Sequence, residues 1–320
     1  DGTFGAVLIS ERGEMVREID LPSRGHDVVF NPVTNQAVVF ARRPATFAAA
    51  FSADKLREPF FFSTTKGRHF YGHGCFSSDG KLLYATENDF DAARGVIGIY
   101  DVSNNFKHLD EFDSGGVGPH EMLMMPDGKT LAIANGGIET HPDFGRQKLN
   151  LPLMRPNISW VDSTSGSLIA SQSLPAKFNR LSLRHICVAG NKVIFGGQHQ
   201  GPPTAPISIV GEASLEAGIG IWDLPEDLMR RTKHYAGSIA MSEDRETAYV
   251  SSSSGGIVLG IDVVSKDIKL VKEMPGANGI SASSTTVNFS TRNGELKTRK
   301  QTRSRKFSFD FDNHLSGTQI

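Results

Sequence analysis

Cysteine is scarce in this sequence, and no long hydrophobic run is present. Cys75 and Cys187 are the only two cysteines among 320 residues, and each follows a histidine by two positions, in "HGC" and "HIC". Equivalent places in different repeats lie too far apart for a disulfide, which needs Cα atoms within about 7 Å, so we expect two buried free thiols. No segment approaches the roughly 18 apolar residues of a membrane helix, so we expect no membrane span.

Net charge is also almost absent, with a formal value of −1 at neutral pH. This balance gives the whole molecule no attraction to nucleic acid or to an anionic membrane. The basic run at 297–306, "KTRKQTRSRK", lacks the interleaved aromatic residues that stack on bases, and is typical of an exposed charged edge. We therefore expect no nucleic-acid partner.

The common catalytic motifs are missing as well. The sequence has no GxSxG elbow, no Walker A loop, no Rossmann fingerprint and no CxxCH haem site. His120 is followed by Glu121, but position 124 is Met, so the pair is not part of an HExxH zinc-protease motif. Nothing marks an activated nucleophile, and the chain is more simply interpreted as a binding protein than as an enzyme.

A repeated pattern is present in place of these motifs. The segments starting at Gly25, Gly72 and Pro119 each run through a histidine, an apolar strand, a tight turn and a second apolar strand, and His26, His73 and His120 are each 47 residues apart. Weaker copies begin at positions 184, 236, 278 and 312, and convincing helical periodicity is almost absent. Short strands with a period of roughly 40–50 residues are typical of β-propeller blades.

We therefore predict an all-β fold, a single domain over residues 1–320 that forms a seven-bladed β-propeller. The last repeat is too short for a blade, and the N-terminal "TFGAVLISERGEMVREIDLP" supplies strands without an innermost partner. Pairing of the N-terminal and C-terminal strands would close the ring and remove the free sheet edges.

This architecture places the histidines at one face. The residue before each innermost strand lies near the propeller axis, so five histidines are predicted at the axial mouth: His26, His73, His120, His185 and His314. Loops that follow the second strands reach the same face and supply further candidate ligand-binding residues: Arg42, Arg43, Glu87, Asn88, Asn135, His141, Arg146, Arg184 and Gln198. Two of these loops are long, which is typical of functional segments.

From "GHGCFSSDGKLLYATEND", "GVGPHEMLMMPDGKTLAIANGG" and the closing "DNHL", the sequence resembles the DUF1513 family of bacterial propeller-like proteins over nearly its whole length. The family has no established function. The resemblance implies a periplasmic, YVTN-like or quinoprotein-like propeller, and a genomic setting among proteins of iron acquisition. A periplasmic partner from an iron-uptake system is therefore expected.

Three functional hypotheses follow from these residues. The first is non-catalytic binding of a metal, with iron, copper or zinc as the cofactor, or of a small polar or anionic ligand, since neutral imidazoles suit such metals and arginine forks bind carboxylates and phosphates. The second is a metal-dependent hydrolase of lactonase type that uses Glu87, Asn88 and Asn135. The third is a protein-interaction scaffold in which the histidines only cap their strands.

Overall fold

The computed structural model describes residues 2–10, 12–53, 57–202, 205–282, 286–298 and 304–317, in which nearly all regular structure is β-strand. An N-terminal two-stranded sheet comprises β1 (Phe4–Ile9) and β2 (Met15–Leu21). Six four-stranded sheets follow, each built from consecutive antiparallel strands, and we call them blades 1 to 6 in chain order.

Blades 1 to 3 have these bounds: β3 (Gly25–Phe30), β4 (Gln36–Ala41), β5 (Phe47–Ser52), β6 (Phe60–Ser63); β7 (Arg68–Phe76), β8 (Leu82–Asp89), β9 (Arg94–Asp101), β10 (Lys107–Asp113); β11 (Pro119–Met124), β12 (Thr130–Asn135), β13 (Asn157–Asp162), β14 (Leu168–Ser173). Blades 4 to 6 have these: β15 (Leu181–Ala189), β16 (Lys192–His199), β17 (Val210–Ser214), β18 (Gly218–Ile221); β19 (Ser238–Met241), β20 (Thr247–Ser252), β21 (Ile257–Asp262), β22 (Ile268–Glu273); β23 (Ala277–Ala282), β24 (Val287–Thr291), β25 (Glu295–Thr298), β26 (Arg305–Lys306). In these described ranges, the helical segments are one α-helix, α1 (Glu226–Arg231), and 3-10 turns at Val102–Asn104, Pro142–Phe144, Leu151–Leu153 and Ala176–Phe178.

The first strand of each blade is the innermost, and neighbouring innermost strands contact one another around an axis. The middle strands are apolar on both sides because they are covered by the adjacent blades: Leu131, Ala132 and Ile133 of β12 are fully buried, and Ala132 pairs with the buried Trp160. The core is therefore a ring of apolar layers between blades.

The predicted tight turns are present at the face opposite the loops. In the "MPDGK" turn the Asp127 carboxylate accepts hydrogen bonds from the backbone N–H groups of Lys129 and Thr130, each at 2.9 Å, and Gly128 has φ of 70°. Glycine adopts that left-handed conformation without the Cβ clash that most residues meet there, so the Asp-Gly pair favours the hairpin register between β11 and β12.

The prediction of seven blades is wrong, because the structure has six. In the place of a seventh blade lies the two-stranded β1–β2 sheet, and among the described residues no strand from the C-terminal segment pairs with it. A cavity of about 970 Å³ separates β1 from blade 6, and its lining includes Phe4 and Leu8 on one side and Asn288 and Phe311 on the other. The predicted closure by paired terminal strands is therefore not formed.

Side-chain contacts of residues 311–316, which we call the closing segment, join blade 6 to blade 1 instead. Arg24 binds Asp312 with two hydrogen bonds of 2.6 and 2.8 Å, and Asn278 Nδ2 donates to the Phe311 carbonyl at 2.9 Å. Gly279 lets the segment pass, because a Cβ at this position would lie 2.6 Å from the backbone nitrogen of Leu315. The ring is therefore closed by a loop that side-chain hydrogen bonds hold in place, and not by paired strands.

Both cysteines are buried and free, as expected. Each thiol is shielded by apolar neighbours, and burial raises the pKa of Cys75 to about 12. Within the described ranges, no helix is both long and apolar enough to cross a membrane.

Glu87 is a buried carboxylic acid in the interior of blade 2. Tyr100 Oη donates a hydrogen bond of 2.6 Å to its Oε1, whereas its Oε2 has no partner. Burial raises the pKa of Glu87 to about 8 in spite of that hydrogen bond. The folded protein therefore keeps this side chain neutral at pH values at which the unfolded chain ionises it.

We expect Glu87→Gln to stabilise the protein more at pH 8 than at pH 5. Between the ordinary pKa of 4.5 and the folded pKa of about 8, folding requires uptake of a proton, so wild-type stability falls as pH rises through this window. At about 1.4 kcal/mol per pKa unit, the variant should gain on the order of 2–3 kcal/mol between the two pH values. Urea unfolding of both proteins at the two pH values measures this gain in the free energy of unfolding, and the exposed Glu216→Gln is the control. Parallel pH profiles of stability for wild type and Glu87→Gln would contradict the prediction.

Candidate metal centre

Irregular pairing in the innermost strands directs the histidines toward the axis. The register between first and second strands shifts at Gly25–Val28, Phe70–Gly74, Pro119–Glu121 and Leu183–His185, and each shift contains or borders one of the predicted histidines. A β-bulge adds an unpaired residue and re-aims the neighbouring side chains. Four blades therefore present their histidines by the same local device.

Gly72 makes room for this arrangement in the "GHG" motif. Its φ is 109°, a region that side-chain-bearing residues rarely adopt, and a Cβ there would lie 2.4 Å from the ring of His26. The glycine therefore permits both the bulge that orients His73 and the close approach of the imidazole from the preceding blade.

The five histidines form one compact group, which we call the histidine cluster: His26, His73, His120, His185 and His314. Ring centroids of neighbouring members lie between 4.3 and 5.7 Å apart. Four members come from blades 1 to 4, and the fifth comes from the closing segment. Blades 5 and 6 contribute no imidazole, since Ser238 and Gly279 occupy the corresponding places.

Several ring nitrogens in the histidine cluster lack hydrogen-bond partners. Four of these nitrogens are buried and have no hydrogen-bond partner: His26 Nδ1, His73 Nε2, His120 Nδ1 and His314 Nε2. A buried polar atom without a partner costs about 1–3 kcal/mol, so four at one place call for a specific reason. Metal coordination uses the lone pair of such a nitrogen and supplies that reason.

Two carboxylates hold individual rings. Asp27 of blade 1 accepts from His73 Nδ1 of blade 2 at 3.1 Å, and Glu121 of blade 3 accepts from His185 Nδ1 of blade 4 at 2.9 Å. Ser316 of the closing segment donates to the other oxygen of Asp27 at 3.0 Å. Each pair fixes the tautomer and directs the opposite Nε2 of the ring toward the cluster, as outer carboxylates do for metal-binding histidines.

The electrostatics keep most of the cluster uncharged. Burial, followed by the neighbouring charges, lowers the pKa of four rings well below its ordinary value: His26, His120, His185 and His314. His73 differs, because the hydrogen bond and charge of Asp27 outweigh burial and raise its pKa, while the pKa of Asp27 falls to about 2. The site thus offers four neutral imidazoles, the form that binds metals, whereas the raised pKa of His73 means that an ion competes with a proton for this ring.

The ring nitrogens fall into two overlapping triads whose ligand atoms all lie within 4.8 Å of one another: His26, His73 and His314, and His73, His120 and His185. Bonds of about 2.0–2.1 Å place ligand nitrogens about 3.0–3.4 Å apart, so the rings need to close by an ångström or so around an ion. Both triads use His73, whose Nδ1 is held by Asp27. Only one of its nitrogens is free, so the geometry fits one ion and not a bridged pair.

A family comparison agrees with the fold and the repeat. The family model described as "Protein of unknown function (DUF1513)" matches residues 19–318. The chain belongs to the DUF1513 family. No curated protein matches the sequence.

Solved structures place this DUF1513 protein among β-propellers. Hydrazine synthase of Kuenenia stuttgartiensis is similar over 93% of this chain and 90% of that chain, with a TM-score of 0.72 and 13% identity. At this identity the similarity shows the fold alone. In total 964 solved chains match, so the architecture is widely shared and gives no function by itself.

Of the other predicted site residues, the arginines lie together around the mouth of this DUF1513 propeller. Arg42 and Arg43 follow β4, Arg146 lies in the long loop between β12 and β13, and Arg184 immediately precedes His185. His141 is in the same long loop and lines a cavity of about 180 Å³ with Arg43 and Arg146. Gln198 lies at the end of β16, where its backbone bridges to Tyr235.

Glu87, Asn88 and Asn135 have other partners. Glu87 is bound by Tyr100 inside blade 2, as described above. Asn88 Nδ2 donates to the Thr140 carbonyl at 2.9 Å and fixes the long loop, and Asn135 Nδ2 donates to Ser159 Oγ at 3.0 Å. The structure does not bring these three side chains together around a common point.

Sequence reasoning missed the two carboxylates of the site. A signal was present, since Asp27 and Glu121 directly follow His26 and His120 in "HD" and "HE". Neighbours along a regular strand point to opposite sides, so pairing of these carboxylates with the histidines of the next blade was not predictable without the bulges.

Proposed function

We propose that this DUF1513 propeller binds one first-row transition-metal ion, iron, copper or zinc, in the histidine cluster, as a non-catalytic binding protein. The observation that carries the proposal is the convergence of five imidazoles, two of them buried and three partly buried, with an unpartnered ring nitrogen on four of them. Carboxylates behind His73 and His185 add to it, because outer-shell partners are typical of built metal sites.

The ligand chemistry gives a preference among metals. An all-imidazole site has neither the thiolates that select Cu(I) nor the oxygen ligands that suit Ca²⁺ or Mg²⁺. For such nitrogen donors the affinity of divalent ions is highest for Cu²⁺, with Zn²⁺ and Fe²⁺ below it. We therefore expect Cu²⁺ to bind most tightly in vitro, whichever ion the cell supplies.

A periplasmic location and a partner from an iron-uptake system are part of this proposal, and their support is the family resemblance alone. The lactonase-type hydrolase needs carboxylate and amide oxygens around a cation, and Glu87, Asn88 and Asn135 are engaged elsewhere. The scaffold hypothesis leaves the unpartnered imidazole nitrogens without a role. Metal binding accounts for more of the site than either alternative.

The test is the metal stoichiometry of protein purified without chelator or an affinity-tag nickel column. We expect elemental analysis, after titration with Cu²⁺, Zn²⁺ or Fe²⁺ and removal of excess, to give one ion per chain, because both triads need His73. The double variant His73→Ala/His120→Ala should retain none.

A matched control is available in His199→Ala/His234→Ala, which removes another adjacent pair of rings, 5.3 Å apart, outside the cluster. This variant should bind metal as the wild type does. The proposal is wrong if the wild type takes up no metal in any titration, or if the cluster variant binds as much as the control.

A further inference from the structure

Positive charge is concentrated at the mouth above the histidine cluster. Five basic residues, which we call the cationic rim, contribute it: Arg42, Arg43, Arg146, Lys148 and Arg184. Among the described residues none of the five forms a salt bridge with a carboxylate, and Lys148 Nζ only donates to Gln200 Oε1. Surface arginines and lysines elsewhere in the chain commonly have such partners, as Arg68 has with Glu111 and Asp89.

Arg184 links the rim to the histidines. It is partly buried beside His185, and its Nε is shielded from water without a hydrogen-bond partner. Arg184 directly precedes His185 in β15, and Arg43 and Arg146 line one cavity. This placement brings the rim next to the histidine cluster.

The carboxylates near the mouth have partners other than the rim. Asp312 is held by both nitrogens of the Arg24 fork, and Asp27 is held by His73 and Ser316. Glu121 Oε2 accepts from His185 Nδ1 at 2.9 Å and from the backbone N–H of Ile186 at 3.3 Å. An ion of charge two in the histidine cluster would therefore lie beneath several uncompensated cations, which repel it.

The rim also has space for a ligand. The cavity of about 180 Å³ beside it is lined by Arg43, Arg146, His69 and Thr140, the last with a buried hydroxyl that has no hydrogen-bond partner. At about 30 Å³ per water molecule, this volume corresponds to roughly six waters, enough for a small organic acid. Arginine forks bind carboxylate and phosphate oxygens bidentately.

We propose that the mouth binds its metal ion together with a small oxyanion, bearing carboxylate or phosphate groups, that is held by the cationic rim. This inference rests on the proposed function, since it assigns a second ligand to the same site. Because the anion offsets the repulsion between rim and ion, each ligand raises the affinity for the other by the same factor. The protein would thus take up the ion as an anion complex rather than as the bare ion.

The experiment titrates malonate and, separately, inorganic phosphate into metal-free and Co²⁺-loaded protein, with chloride at matched ionic strength as the reference. Calorimetry gives the anion affinity, and the visible absorption of Co²⁺ reports a change at the ion. We expect at least one anion to bind at least tenfold more tightly to the loaded protein, and comparison of the two shows whether carboxylate or phosphate is preferred.

Arg43→Gln/Arg146→Gln should weaken anion binding at least tenfold while retaining one Co²⁺, which also shows that the variant is folded. Lys81→Gln/Lys129→Gln removes the same charge from turns at the opposite face and should behave as the wild type. One Co²⁺ per chain with no anion effect, or with an effect unchanged in the arginine variant, overturns the anion and leaves the metal proposal standing. Anion binding without uptake of any metal overturns both the metal proposal and the coupling.

Discussion

His73→Ala is expected to lower metal affinity more than replacement of any other histidine in the chain. His73 belongs to both triads and its Nε2 has no hydrogen-bond partner, whereas each of the other four histidines belongs to one triad. Loss of an outer partner alone typically weakens a metal site 10–100-fold, so loss of the shared ligand should weaken it by at least about 1,000-fold. Competition with a chromophoric chelator measures the constants.

Two comparisons make this result specific. Asp27→Asn keeps the ring of His73 in place but removes the charge of its partner, and should give the smaller, outer-shell loss. His108→Ala removes a half-buried imidazole near Tyr100, outside the cluster, and should leave the affinity unchanged. Equal effects of His73→Ala and His314→Ala would refute the shared role of His73 and indicate a site built from one triad only.

Metal loading is expected to stabilise the whole ring and to protect the closing segment in particular. At free metal 1,000 times the Kd, binding to the folded state adds about 4 kcal/mol to the free energy of unfolding. For a chain of this size that corresponds to a rise in Tm of about 5 °C. His314 belongs to a segment without strand hydrogen bonds among the described residues, so its attachment to the ion should reduce amide exchange there more than elsewhere.

Hydrogen exchange followed by mass spectrometry, with and without saturating Zn²⁺, measures this protection. His314→Ala is the informative variant, because it retains four of the five histidines and should still gain thermal stability on loading, but not protection of residues 311–316. Unchanged exchange of this segment in loaded wild-type protein would show that His314 does not coordinate the ion.

The sequence predicted the repeat and the position of the histidines well, because both depend on local features. Turn residues such as Asp127 and Gly128 have few conformations available, and the 47-residue spacing carries each histidine to the same point of successive blades. Convergence of His26, His73 and His120 follows from the fold once the innermost strands surround one axis.

The prediction that the N-terminal and C-terminal strands pair was wrong, because such a strand forms only with a partner strand that is distant in sequence. The closing segment "FDNHLS" has Asp and Asn among its apolar residues and no sustained alternation, so it is anchored by Arg24 and Asn278 instead of joining a sheet. The β1–β2 pair consequently remains a two-stranded sheet. Hydrogen bonds between blades, such as that from His73 to Asp27, likewise depend on tertiary placement and have no signature in either repeat alone.

The distribution of the cluster along the chain has a consequence for how the protein matures. Its first imidazole is at position 26 and its fifth at position 314, and the ring between them must be complete before these two approach each other. A nascent or partly folded chain can present single blades, but it cannot assemble the five ligands. For the proposed metal binding, the complete site therefore forms only when the ring closes, and an incompletely folded molecule offers at most one triad of ligands.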